Sequence, residues 1–464
     1  MRELTELTHP ALRLGGIASR SLRFLIHRCQ RTLVAIPGHG VPILRHLLPL
    51  AVRSKGVLDA LLTLSDRLRL SDALMRENSV RSGSNGLLHT SQPRMLDSYQ
   101  EALSTLQTSL LAIQSGLRDA EEAVAMSIIL LIFGFPGDRI WSVHLNGLIA
   151  LIQDPDIPAL ASPALSLLAS NFAAHVDIKA FSLGRSEASQ RLWLNWRIHP
   201  LEHILDRQAA REPLSEFEIS TGYPPSLVTL IALVSAVVED VQADRPLDSA
   251  IDDYLQDVAN NLRRPPGRLN NVDASPSASE SPCDPHTDTI LRTELVVSQW
   301  RLPDHVSSLA VKTSLALATA WAVIQKAAFI YLWRQGFGAD IRAALSSEQR
   351  ERVGQYLCEA LSGIEAVMQA AEKHDIMVAN ALLWPLTVLG NECSWYPNLQ
   401  SKVLEYFQRL NKHFPIHHSQ IVAVLLQRLW KLTEEHNGDP DAIPSRCLSL
   451  QYMALQDGAC IPLL

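Results

Sequence analysis

Apolar residues recur along this chain at the spacing of one helical face, and that periodicity limits the fold more than any other feature. Tyr99, Leu103, Leu106, Leu110 and Ile113 step by four, three, four and three residues, which stacks them on one side of an α-helix. Val353, Leu357, Leu361, Ile364 and Met368 do the same. Shorter stripes are formed by Leu58, Leu61, Leu62 and Leu68, by Val403, Phe407 and Leu410, and by Val422, Leu425, Leu426 and Leu429. Asn437-Gly438 followed by Pro440 supplies a stop for the last of these. Alternating strand-like runs are scarce, and no fixed-period repeat calls for a solenoid. The expectation is an all-α fold, a large multi-helix bundle or irregular helical array carrying a disordered internal loop.

That loop is Arg263 to Asp288, RRPPGRLNNVDASPSASESPCDPHTD, dense in Pro, Ser, Asn and Asp and almost free of large apolar residues. It cannot bury enough surface to offset its ordering entropy. A shorter break falls at Arg81–Asn85. The chain is therefore divided into a basic N-terminal segment (1–40), a first helical part (41–262), the Ser/Pro-rich loop (263–288) and a second helical part (289–464). The helices on both sides of the loop are apolar enough to predict one body rather than two independent domains.

Composition narrows the function classes. Apolar residues make up 47% and charged residues 19% of the 464-residue chain, enough for a sizeable core and too apolar for extended disorder. The longest apolar runs, Ala123–Phe135, Leu227–Val238 and Ser314–Ile324, fall short of the ~18 uninterrupted residues of a membrane span and read as buried helices. No secretory signal opens the chain. The net charge is −7, which argues against a protein that simply coats nucleic acid, yet residues 1–58 carry nine Lys/Arg against Glu3 and Glu6 alone. No acidic residue occurs from Leu7 to Leu58. Such a start resembles either a transit peptide or a basic segment following a nucleic-acid-binding module.

Few local patterns point to chemistry. The six cysteines, at 29, 283, 358, 393, 447 and 460, include no Cys-x-x-Cys pair, which excludes zinc-ribbon and thioredoxin-type spacing and fits a reducing compartment. Cys358, Cys393 and Cys447 have no neighbouring base and read as small buried apolar residues. His199-Pro-Leu-Glu-His203 matches H-x-x-E-H, in which two histidines on one helical face hold Zn²⁺ and Glu202 serves as base. Pro200 disfavours helix at His199, so the pattern supports a metal-dependent hydrolase only as an alternative. His417-His418 point about 100° apart on a helix and read as a polar helix start. No phosphate-binding glycine loop and no nucleophile elbow is present. The runs Ala327–Arg334, Trp384-Pro385-Leu386 and Trp395-Tyr396 read as helix packing rather than a ligand box, with Pro385 kinking its helix. No catalytic, cofactor-binding or metal residue is assigned, and a non-enzyme is the expectation.

Several segments together resemble a known family. Arg45–Ala51 followed by Val57–Ser65 resembles the opening helices of the fungal-specific transcription factor domain, the all-helical regulatory region of fungal binuclear-zinc-cluster transcription factors. Ile140–Gly147 looks like its Trp…His…Gly helix, Thr221–Leu227 precedes an apolar helix as in the family, and Ala328–Arg334 resembles its Tyr-Leu helix. Ala381–Leu386 with Gly390–Glu392 resembles its most distinctive segment, and Leu429-Trp430 lies in the final helix. The resemblance spans about residues 25–435. It implies a nuclear transcription regulator that works through protein–protein contacts with DNA-bound factors or coregulators, of a kind that often controls a biosynthetic gene cluster. It departs from the family in one respect: the six clustered cysteines of the zinc module are missing, with Cys29 the sole cysteine before Cys283. Direct sequence-specific DNA binding is accordingly not expected, nor is a membrane partner. A helical scaffold unrelated to transcription is the remaining alternative.

Overall fold

The computed structural model describes residues 16–36, 38–80, 92–114, 120–135, 140–154, 161–183, 201–206, 213–263, 285–339, 345–374, 376–413, 418–436, 448–458, 461 and 463. Among these residues the regular structure is entirely helical, as the apolar periodicity predicts. Residues 264–284 of the Ser/Pro-rich segment lie outside the described residues, as do Arg81–Asn85 and Asn437-Gly438.

Seven helices build a first core: α1 (Gly16–Thr32), α2 (Pro42–Arg53), α3 (Lys55–Val80), α4 (Gln92–Gln114), α5 (Ala120–Gly134), α6 (Ile140–Gln153) and α7 (Pro163–Ser182). Helix α5 is its axis, with every residue buried except the two carboxylates of its first turn, Glu121 and Glu122. Those acids lie where the helix dipole favours negative charge. Around α5 pack Val57, Ala60, Leu61 and Leu64 of α3, Leu145 and Leu148 of α6, and the stripe Tyr99, Leu103, Leu106, Leu110 and Ile113 of α4. The α3 stripe is thus rotated from its expected position. Leu61 is buried, Leu58 and Leu68 are half-buried against the core, and Leu62 gives way to Val57, Ala60 and Leu64.

A second core follows α8 (Glu216–Thr221). It comprises α9 (Pro225–Gln242), α10 (Ser249–Arg263), α11 (Pro285–Gln299), α12 (Val311–Trp333), α13 (Ser347–His374), α14 (Leu383–Glu392), α15 (Pro397–His413), α16 (His418–His436) and α17 (Leu450–Gln456). Helix α12 is its axis. It runs antiparallel to α13, as Lys326–Glu359 and Lys312–His374 pair across the two helices. Glycine at 363 lets them pack together, because a Cβ there would lie 2.6 Å from Val323 Cγ2. The expected stripes on α13, α15 and α16 all face inward. Helices α9 and α12 are long and apolar enough to span a membrane, but 72% and 67% of those stretches are buried inside the protein. Pro385 does not kink a helix; it lies in the first turn of α14, after the 3-10 helix Met377–Leu382, where a missing N–H costs no intrahelical bond.

Candidate functional site

The two cores meet along α7 and α8. Helix α7 is buried continuously from Leu168 to Ala180 and has two different faces. Leu168, Ala169, Phe172, Ala173 and Val176 face the first core, and Ala174 and Ile178 face the second. Beside the second face runs a polar stripe, Asn171, His175, Lys179 and Ser182, spaced four, four and three residues and buried throughout.

The stripe closes on Tyr223, which follows α8. The Lys179 amino group rests 3.9 Å from the centre of the Tyr223 ring. The His175 ring meets Tyr223 edge-on at 4.8 Å and Phe217 at 5.4 Å. Burial pushes the pKa of Lys179 far down, and burial first, with the Lys179 charge second, pushes His175 down as well. His175 Nδ1 has no hydrogen-bond partner among the described residues. Burial raises the Tyr223 phenol, whose hydroxyl donates to the Ala381 carbonyl at 2.6 Å. Three more aromatic donors converge nearby. Trp321 Nε1 donates to Gly222 O at 2.7 Å, Trp384 Nε1 to Ser182 Oγ at 3.0 Å, and Tyr331 OH to Ser182 O at 3.1 Å.

Helix α8 ties this seam to both sides. Ser215 caps its N-terminus, and Gly222 ends it with φ 74°, a left-handed value suited to glycine. Its Ile219 carbonyl accepts from Ala35 N and Ile36 N. Glu216 holds His46 at 2.6 Å and Arg45 at 2.9 Å, both on α2. Glu218 holds His305 at 2.6 Å; burial raises this carboxyl and the histidine contact opposes the rise. A seam of buried basic side chains, aromatic donors and short His–Glu pairs is suited to holding two bodies in one relative position.

The sequence-derived candidates do not assemble here. Leu201–Ile204 winds as a four-residue 3-10 helix instead of the α-helix that would align residues four apart, and Glu202 is exposed. His199 and the His203 side chain lie outside the described residues. No cluster of three or more His, Cys, Asp or Glu side chains fit to hold a metal ion occurs among the described residues. His418 starts α16, as expected, but its ring is buried, edge-on to Phe135 at 6.4 Å. His417 and Cys447 lie outside the described residues. Cys393 is buried, as expected, with its thiol pushed up to about 12. Cys358 is exposed, contrary to expectation, because its position on α13 faces away from the Val353–Met368 stripe. The Ala327–Arg334 run and Trp384 pack inside the second core, whereas Trp395 remains 40% exposed.

A separate cleft of about 530 Å³ opens where α2, α3, α4 and α5 meet. Asp59, Glu101, Glu121 and Glu122 line it together with Arg53 and Lys55. Arg53 pairs with Glu121, and Ser54 Oγ donates to Glu122 at 2.8 Å, so much of its charge is answered from within.

A family model described as the fungal specific transcription factor domain matches residues 23–447, taking in both cores and the seam. Neither the curated proteins nor the solved structures give a match.

Proposed function

The chain belongs to the fungal-specific transcription factor domain family, and we propose that it is a nuclear, non-enzymatic transcription regulator acting through contacts with other proteins, DNA-bound factors or coregulators. The match over residues 23–447 carries the reading, since it covers most of both cores rather than one motif. Exposed apolar side chains support the protein-contact part. Val311 and Leu315, one turn apart on α12, are 82% and 68% exposed, and Val143 on α6 is 68% exposed. Control of a biosynthetic gene cluster is the setting in which such regulators often act, and it is part of the same proposal.

The test is a fusion of the full chain to an unrelated DNA-binding domain, read on a reporter in a fungal host alongside the location of a fluorescent fusion. A changed reporter signal and nuclear fluorescence are expected. Val311→Asp with Leu315→Asp should reduce the signal without lowering thermal stability. An unchanged reporter with cytosolic fluorescence overturns the reading.

A further inference from the structure

Helix α1 presents one face to solvent, and that face is cationic. Gly16, Arg20, Arg23 and His27 are exposed at spacings of four, three and four residues, while Leu22, Leu25 and Cys29 on the opposite side are buried in the first core. The helix is pinned in this orientation by α3. Ser65 Oγ donates to Ser21 O at 2.8 Å, Arg28 pairs with Asp72 at 2.8 Å, and Arg69 Nη2 donates to Arg20 O at 3.1 Å. The Arg69 guanidinium lies over the Phe24 ring at 4.8 Å, which brings a further cation to the edge of the same face.

Among the described residues two acids of α3 stand near this face. Asp72 is taken by Arg28, and Asp66 lies within electrostatic reach of Arg69. Arg20 and Arg23 have no ion pair among the described residues. Helix α1 itself carries no acid and lies inside the acid-free run from Leu7 to Leu58. Among its described side chains no large apolar one is exposed. An amphipathic acidic peptide would find no anchor here, because such docking needs apolar pockets as well as charge. A lipid surface would find no apolar face to insert, since that face is already inside the core.

We propose that the outer face of α1, Arg20, Arg23 and His27 with Arg69 at its edge, grips the phosphate backbone of a nucleic acid duplex without reading bases. From Arg20 to His27 the helix advances about 10 Å, a length over which one DNA strand presents about three phosphates. The contact positions the protein on the duplex and leaves sequence choice to a partner. It extends the regulatory reading but stands on the charge of this face alone. It also revises the expectation that the chain makes no direct DNA contact, while leaving sequence-specific binding unclaimed.

The experiment uses the full chain and a fluorescently labelled mixed-sequence duplex of about 20 base pairs, with anisotropy read from about 50 to 200 mM salt. Binding is expected to weaken with salt, and the log–log slope should become shallower by about two when Arg20→Ala and Arg23→Ala are combined, since each phosphate contact contributes about 0.9. Arg20→Lys with Arg23→Lys should retain most of the slope, and equal thermal unfolding of all variants establishes that each is folded. No binding at the lowest salt, or an unchanged slope in the double alanine variant, overturns the proposal. So does polyglutamate bound as tightly as the duplex and lost on the same substitutions, which would make the face a dock for acidic protein segments.

Discussion

The two cores are held together by different physics. In the first, α5 offers Ile128, Ile129, Leu130 and Leu131 to a ring of Leu, Val and Ala from its neighbours, and such packing is non-directional. In the second, large aromatics are pegged by their polar ends to backbone on other helices. Trp430 Nε1 donates to Gly390 O at 2.9 Å and Tyr406 OH to Leu361 O at 3.2 Å, in addition to the bonds of Trp321, Tyr223 and Tyr331. A buried ion pair adds to this, with Arg334 Nε and Nη2 meeting both Glu392 oxygens at 2.6 and 2.7 Å. Among the described residues apolar packing dominates the first core, where Tyr99 and His144 form a side-chain pair, whereas the second adds several aromatic-to-backbone bonds and a buried ion pair. The seam on α7 and α8 shares the second character.

The largest effect should come from breaking that ion pair. Arg334 is 8% and Glu392 1% exposed, so Arg334→Met leaves a buried carboxylate without its counter-charge and should cost about 3–5 kcal/mol. Adding Glu392→Leu should recover most of the loss, because an apolar pair of similar volume avoids the desolvation penalty. Urea midpoints for the single and double variants measure both. A double variant as unstable as the single one would mean that the pair is not what distinguishes this core.

Acid probes the first core. Burial lowers the pKa of His144 on α6 to about 4 from an ordinary value of 6.5, and its Nε2 pairs with Tyr99 OH at 2.8 Å. The unfolded chain therefore binds the extra proton between pH 6.5 and 4 and the folded chain does not. Stability rises with pH through this window and is lost as pH falls through it, by about 3 kcal/mol at full extent. His144→Gln should flatten the pH dependence measured by urea denaturation. It should not abolish it, because buried His175 in the seam is shifted in the same direction.

Removing a single peg should cost less. Trp321→Phe keeps most of the buried ring and deletes the donor to Gly222 O, leaving a buried carbonyl unsatisfied for about 1–3 kcal/mol. A loss well under 1 kcal/mol in thermal or urea unfolding would show that the aromatics of the second core act by volume alone and would erase the contrast with the first.

The contrast also explains what could be read from the sequence. Stripes such as Val353–Met368 and Tyr99–Ile113 were legible because a helical face is a local pattern, and both face a core. On α3 the same logic was one step off, since it took Leu58, Leu61, Leu62 and Leu68 and passed over Val57, Ala60 and Leu64, which are buried in the first core. The seam was not legible in its pairings, because Ser182 and Trp384, or Gly222 and Trp321, are distant in the chain. One local signal was available: Asn171, His175, Lys179 and Ser182 recur at helical spacing within a largely apolar helix. The H-x-x-E-H pattern is local as well, but of its span only the part in Leu201–Ile204 is described, and that stretch winds as a 3-10 helix.

The smallest expected effect lies on the axis of the first core. Ile129 is fully buried on α5, so Ile129→Val removes one methyl group and should cost about 0.5–1.5 kcal/mol. Ile129→Leu keeps the volume and should also stay below about 1.5 kcal/mol, because neighbouring aliphatic side chains can shift rotamers without breaking a hydrogen bond. The comparison depends on this tolerance. In a core specified by volume, a change of shape at constant volume is absorbed, and Ile129→Leu should cost no more than Ile129→Val. If Ile129→Leu instead destabilises as much as Trp321→Phe, with unchanged denaturant slope, then α5 is as geometrically constrained as the pegged aromatics, and the two cores differ in composition but not in how tightly they are specified.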